Sequence, residues 1–193
     1  MLENLKKYNV LLASKSPRRR ELLTHLRIPF RVVTVGKINE DYPSDMPALE
    51  VAQYLSGIKA DAYWSIIGDD ELLITADTIV VLDNKVYGKP VDAEDACRML
   101  RELSGRVHQV TSGVTVTTKR KRTSFTTVTD VRFVDIPEED IKYYVDNYMP
   151  LDKAGAYGIQ EWIGCVAVES ICGSYYNVMG LPVHRLYQEL RYF

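Results

Sequence analysis

Residues 72–83, LLITADTIVVLD, constrain the fold more than any other stretch of the chain. Aliphatic and β-branched residues fill both alternations of the run. A strand made from it is hydrophobic on both faces and belongs in the middle of a covered sheet. That favours a layered α/β chain over a one-sided sheet open to water. The carboxylate inside the run, Asp77, is expensive to bury unless it meets a cation, a metal or a hydrogen-bond donor. Two readings stand: a structural salt bridge to a helix, or part of a site. Alternation also puts Asp77 and Thr78 on opposite faces, so if both serve one site the strand must end or bulge there.

The remaining elements fit around such a strand. Tyr8 to Ala13 reads as a short buried strand; Ser16 then looks like an N-cap, with Pro17 at the first helical position and Leu22, Leu23 and Leu26 as the apolar face. Phe30 to Val35 reads as a second strand. A polar loop, Gly36 to Pro47, follows and carries Asn39, Glu40 and Asp41; loops of that length in compact domains are often functional. From Ala48 to about Ile67, Leu49, Ala52, Leu55, Ile58, Ala62 and Ile66 recur at helical spacing, with Lys59 on the same helix. Asp83-Asn84 turns the chain into a brief strand at Val86-Tyr87, then Gly88-Lys89-Pro90. Ala93 to Leu103 is a helix closed by Gly105. Val107 to Thr117 and Thr123 to Val134 form a β-hairpin around the basic turn KRKR. Pro137 opens a helix to about Asn147, DKAGAYGIQ has no clear periodicity, Val166 to Ile171 is strand-like, Tyr175 to Gly180 is a helical turn, and Pro182 begins a final helix. No repeat or linker interrupts the chain, so residues 1–193 are expected to form a single domain, with one or two lobes.

Charge is close to balanced, 24 basic against 26 acidic residues, so no global field argues for nucleic acid or a membrane surface. Three cysteines without a CxxC, Cys97, Cys165 and Cys172, suggest neither a disulfide framework nor a zinc ribbon, and are expected in or near the core. With no apolar run near the ~20 residues of a membrane span, the expectation is a soluble, cytoplasmic protein. GxxxxGK[ST], GxGxxG, HExxH and GxSxG are absent, and His25, His108 and His184 stand alone as structural or surface residues.

The best local signal is LLASKSPRRRELL, residues 11–23. A strand that feeds a helix through Ser14 and Ser16 leaves backbone N–H groups free for an anion. Arg18 and Arg19 add donors suited to phosphate. Three arginines at a helix start also oppose the helix dipole, at roughly 0.3–1 kcal/mol per exposed charge, which an anionic ligand would offset. The alternative is that Ser16 merely caps the helix while the arginines meet Glu21 and solvent. Glu40 is either a solvated loop charge or a second carboxylate for a divalent cation with oxygen ligands. Lys59, Lys89 and Lys153 read individually as surface lysines. KRKR at 119–122 looks like a nucleic-acid patch in isolation, but a charged hairpin tip is the commoner arrangement.

Taken in order, LLASKSPRRRELL, INE, LSGIKA, ADTIVV, YGKP, LSGRVHQVTSGV, DKAGAYGIQ and GSYYNVMGLPV resemble the Maf family of nucleoside triphosphate pyrophosphatases over residues 10 to 190. The resemblance implies an elongated mixed β-sheet flanked by helices around a deep cleft, similar to inosine triphosphate pyrophosphatases. It implies hydrolysis between the α and β phosphates with a divalent metal, Mg²⁺ or Mn²⁺. Carried over by position, Asp77 is the catalytic acceptor that activates water, and Glu40 with Asp77 holds the metal. Ser14, Ser16, Arg19, Lys59 and Lys89 bind the phosphates. Arg18, Thr78 and Gln160 are similar to the base-selecting residues of the dTTP/UTP branch. The sister branch, similar to 7-methyl-GTP pyrophosphatases, has an aromatic at the first of these positions and lacks AYGIQ. The implied partners are pyrimidine nucleoside triphosphates, without nucleic acid or membrane, and a second copy in a homodimer. The alternative reading is a nucleotide-binding regulator of cell division that needs no turnover. Two positions depart from the family pattern: Thr75 stands before ADT in place of glycine, and Asn39 before Glu40 in place of aspartate.

Overall fold

The computed structural model describes residues 2–193. After a 3-10 turn at Glu3–Lys7, the chain runs β1 (Asn9–Ala13), α1 (Pro17–His25), β2 (Arg31–Val32), α2 (Ala48–Ala62), β3 (Glu71–Leu82), β4 (Lys85–Tyr87) and α3 (Ala93–Leu103). It continues through β5 (Val107–Thr117), β6 (Arg122–Phe133), α4 (Glu138–Tyr148), α5 (Trp162–Ala167), β7 (Val168–Cys172), α6 (Tyr175–Met179) and α7 (Val183–Leu190). The strands form a single mixed sheet in the order β2-β1-β3-β5-β6-β7, with β4 also paired to β3. β1 is parallel to both its neighbours, and every later pairing is antiparallel.

The doubly apolar run is the central strand, and its two alternations are covered by different helices. Leu73, Ile79 and Val81 pack under α2, in clusters with Val51, Ala52 and Leu55 on one side and Tyr63 and Ile67 on the other. The opposite face divides. Leu72, Ile74 and Ala76 meet Leu22 and Leu23 of α1 and the apolar side of α7, whereas Val80 and Leu82 meet α3, α4 and α5. Thr78 stands at the seam between these two clusters.

Glycine 113, opposite Asp77 on β5, sets the distance between α2 and the sheet. A Cβ there would lie 2.2 Å from the Gln53 backbone and 2.3 Å from that of Ala52. Hydroxyls complete this contact: Thr75 Oγ1 donates to the Ser56 carbonyl at 2.7 Å, and Ser56 Oγ, Thr115 Oγ1 and Ser124 Oγ form a chain with 2.9 Å links. Thr75, the departure from the resembled glycine, is thus a buried tie between β3 and α2.

Several expectations change. The Phe30–Val35 strand shortens to two residues because β1 is its only neighbour. Helix α2 ends at Ala62, and its buried side is Ala48, Val51, Ala52, Leu55, Ser56 and Ala60; Leu49 and Ile66 are exposed. The tight approach at Gly113 selects this small-residue stripe over the bulkier one. The expected strand from Val166 begins at Val168, because α5 continues to Ala167. Cys165 and Cys172 are exposed, not in or near the core, whereas Cys97 is half-buried and packs against the core as expected. Lys153 is the reverse case, 7% exposed. The KRKR turn is occupied internally: Lys119 lies over Trp64, Lys121 over Phe193, and Arg122 pairs with Asp61. No described helix is long and apolar enough to cross a membrane.

His108, 1% exposed, stands edge-on to Phe133 and Tyr157 and meets the Tyr157 hydroxyl at 2.8 Å. Burial pushes its imidazole from 6.5 down to about 4. Between those values the unfolded chain binds a proton that the folded chain does not. Stability is therefore expected to fall as pH drops through this window, by about 3 kcal/mol for this one group. Urea unfolding at pH 7.5 and 4.5 checks this: His108→Gln should lose less stability between the two than the parent protein does.

Candidate active site

Between Thr75, where β1 stops pairing, and Val80, where β4 starts, one edge of β3 has no strand beside it. The other edge is paired with β5 without interruption from Leu73 to Val81. The opening is the floor of a cleft of about 820 Å³. This resolves the alternation problem without a bulge. Where the edge is bare, side chains on both faces of β3 reach the same cleft.

On the α2 face, Lys59 Nζ bonds Asp77 Oδ1 and lies 3.4 Å from Glu40 Oε1. The lysine and aspartate side chains are each 14% exposed, so the pair is shielded but open on the cleft side. Asp77 Oδ2 has no hydrogen-bond partner among the described residues. The position of Lys59 follows from Gly113 and Thr75, since the helix must lie low on the sheet for its next turns to meet β3.

On the opposite face, Arg19 fills the bare edge. Its Nη1 donates to the Ala76 carbonyl at 2.8 Å, Nε to the Gly180 carbonyl at 2.8 Å and Nη2 to Thr78 Oγ1 at 3.0 Å. Burial, together with the Arg18 charge, pushes its guanidinium below the usual range, against the pull of Asp77 and Glu40. Two of its five N–H groups are left for a ligand. Thr78 Oγ1 also meets Ser112 Oγ at 2.8 Å.

Above the floor, Ser16 caps α1 by accepting the Arg19 N–H at 3.4 Å, and Ser14 Oγ accepts the Ser16 N–H at 3.2 Å. The cap and the anion site are compatible, since one side-chain oxygen satisfies one of the several free N–H groups at a helix start. Lys89 enters from the loop after β4, and Arg18 and Gln160 also line the cleft. All ten side chains selected from sequence, Ser14, Ser16, Arg18, Arg19, Glu40, Lys59, Asp77, Thr78, Lys89 and Gln160, therefore line one cleft.

Sequence reasoning missed Lys15, Lys37, Asp152, Lys153 and Tyr157, which line the same cleft. Lys15 was within reach of the sequence, lying between the two serines of the strand-to-helix turn. The others have no periodic signal; Asp152, Lys153 and Tyr157 belong to DKAGAYGIQ, whose 3-10 turn at Ala154–Ala156 contains two residues of positive φ, Gly155 and Ala156. Lys15, Lys37 and Lys89 make no ion pair among the described residues, so the cleft has unneutralised positive charge beside the α1 N-terminus.

Two carboxylates on one cleft wall are a small donor set, and no group of three or more acidic, histidine or cysteine ligands occurs among the described residues. The set fits a hard cation such as Mg²⁺, which is commonly held by one or two carboxylates and completed by water and substrate phosphate.

The sheet and its cleft define an α/β architecture shared with the Staphylococcus aureus Ham1 protein, at a TM-score of 0.50 and 11% identity over 66% of this chain and 72% of that one. The sequence settles the family: residues 9–193 match Maf-like protein, and the chain belongs to that family. A dTTP/UTP pyrophosphatase of Bacteroides thetaiotaomicron is 56% identical over 99% of both chains. Another from Parabacteroides distasonis is 54% identical over the full length of both.

Proposed function

We propose that this protein is a nucleoside triphosphate pyrophosphatase that hydrolyses dTTP and UTP to the monophosphate and pyrophosphate. The convergence of Asp77, Lys59 and Glu40 beside a basic helix N-terminus carries the reading, and the names of the full-length relatives support the choice of nucleotides. Charge neutralisation and positioning are what phosphoryl transfer mainly requires. Here the α1 N-terminus, Ser14, Ser16, Arg19 and the cleft lysines bind the triphosphate. Lys59 holds Asp77 by Oδ1, which leaves Oδ2 to orient the attacking water and take its proton. Glu40 and Asp77 would hold a divalent cation, Mg²⁺ or Mn²⁺, which when bound polarises the phosphate oxygens. Arg18, Thr78 and Gln160 select the base, with the Gln160 amide offering both a donor and an acceptor to a uracil or thymine edge.

Pyrophosphate release from dTTP, UTP, CTP, GTP and 7-methyl-GTP, each with Mg²⁺ or Mn²⁺, tests the assignment. Turnover of dTTP and UTP ahead of the other three is the expected result. Nucleotide binding without turnover of any of the five would overturn it.

A further inference from the structure

Away from Asp77, three charges that line the cleft, Arg18, Asp152 and Lys153, form a closed set with Glu161 behind them. Lys153 Nζ donates to Asp152 Oδ1 at 2.7 Å and lies 3.0 Å from Glu161 Oε1. Asp152 uses its other oxygen, Oδ2, to accept from Arg18 Nη1 at 2.8 Å. Glu161 Oε2 accepts from the Tyr144 hydroxyl, whose oxygen accepts the Gly158 N–H at 3.0 Å. Two cations and two carboxylates cancel, so the set has no net charge to offer a triphosphate. Burying Lys153 among carboxylates is also a poor route to stability, because apolar side chains of similar size serve that purpose as well or better. What such a network does supply is a fixed arrangement of its members.

The members it fixes come from opposite sides of the cleft. Arg18 stands in the first turn of α1, whose leucines belong to the cluster with α7, whereas residues 156–163 pack with α3 and α4. Gln160 lies between Gly158 and Glu161, both tied to Tyr144. We infer that Asp152 is a positioning residue for base selection: with Lys153 it sets Arg18 at a fixed place relative to Gln160. This rests on the base-selecting reading of Arg18 and Gln160 above. The Asp152 side chain is 56% exposed and that of Arg18 23%, and exposed pairs of this kind contribute little to folding. The effect of removing Asp152 is thus separable from unfolding.

The experiment measures kcat/KM for dTTP, UTP and CTP in the parent protein, Asp152→Ala, Arg18→Ala, Gln160→Ala and the Asp152→Ala/Arg18→Ala double variant, with thermal midpoints. Asp152→Ala should lower the dTTP-to-CTP ratio about tenfold, the effect of misplacing one charge-assisted hydrogen bond. The double variant should match Arg18→Ala alone, because both residues act through one contact. Asp152→Asn keeps an acceptor for Arg18 Nη1 and should recover part of the ratio. An equal fall for all three nucleotides, or losses that multiply in the double variant, would overturn the positioning role. So would an unchanged ratio in Asp152→Ala when Arg18→Ala shifts it, and in that case the base-selecting reading survives. If neither Arg18→Ala nor Gln160→Ala shifts the ratio, that reading fails and the positioning role with it.

Discussion

Asp77→Asn is expected to reduce pyrophosphate release from dTTP by about 10³-fold or more, while dTTP still binds. A positioned general base contributes about 10²–10⁴ in rate, and an amide can neither take a proton from water nor stand as a counter-charge to Lys59. The substitution preserves shape in a strand whose pairing with β5 runs unbroken past it, so folding should survive. Lys59 keeps Glu40 as a partner. A coupled pyrophosphate assay gives the rate, and calorimetric titration with the nucleotide gives the affinity. Turnover within tenfold of the parent would remove Asp77 from the chemistry. Loss of both turnover and binding, with the thermal midpoint unchanged, would instead assign it to holding the substrate.

Gly113→Ala should be among the most damaging single methyls in the molecule, and it acts on α2. The added carbon would fall 2.2 Å from two backbone atoms of Gln53, and a helix backbone cannot swing aside as a lysine tip can. Either α2 lifts from the sheet or β5 bends away from β6. Overpacking of this kind costs about 1–3 kcal/mol, occasionally more, and the backbone partner puts this site at the upper end. In a chain of this size that lowers the thermal midpoint by roughly 6–12 °C. Because Lys59 is carried by the same helix, activity measured well below the new midpoint should also fall. A variant with native stability and native turnover would show that the close approach of α2 is not needed.

Much of this architecture could be read from the chain. The strand LLITADTIVVLD announced its own central place because both alternations are apolar, and the hairpin at 107–134 did so through its β-branched content. The strand-turn-helix at Ser14 to Arg19 was visible for a different reason: capping chemistry is local. Other features depend on distant partners. Leu49 and Ile66 looked like the buried side of α2, yet a glycine on β5 decides which stripe fits. Lys153 looked like any surface lysine until Asp152 and Glu161 were seen around it. Asp77 and Thr78 seemed to exclude each other by alternation, since nothing in a one-dimensional pattern shows that β1 stops at Ala13 while β4 begins pairing only at Val80. The convergence of the ten cleft residues came from family likeness in sequence, and its physical cause, the bare edge, came only with the sheet.

That interruption also divides the two demands on the enzyme. In the proposed roles the carboxylates and Lys59 sit over one surface of the central strand, whereas the base-selecting Thr78 lies on the other, held by the phosphate-binding Arg19. A mutation at Thr78 that retunes nucleotide choice need not disturb Asp77 or Lys59, because the backbone of β3 separates the two faces. Under those roles, one face of a single strand can be altered to change which base is accepted while the hydrolytic groups on its other face stay in place.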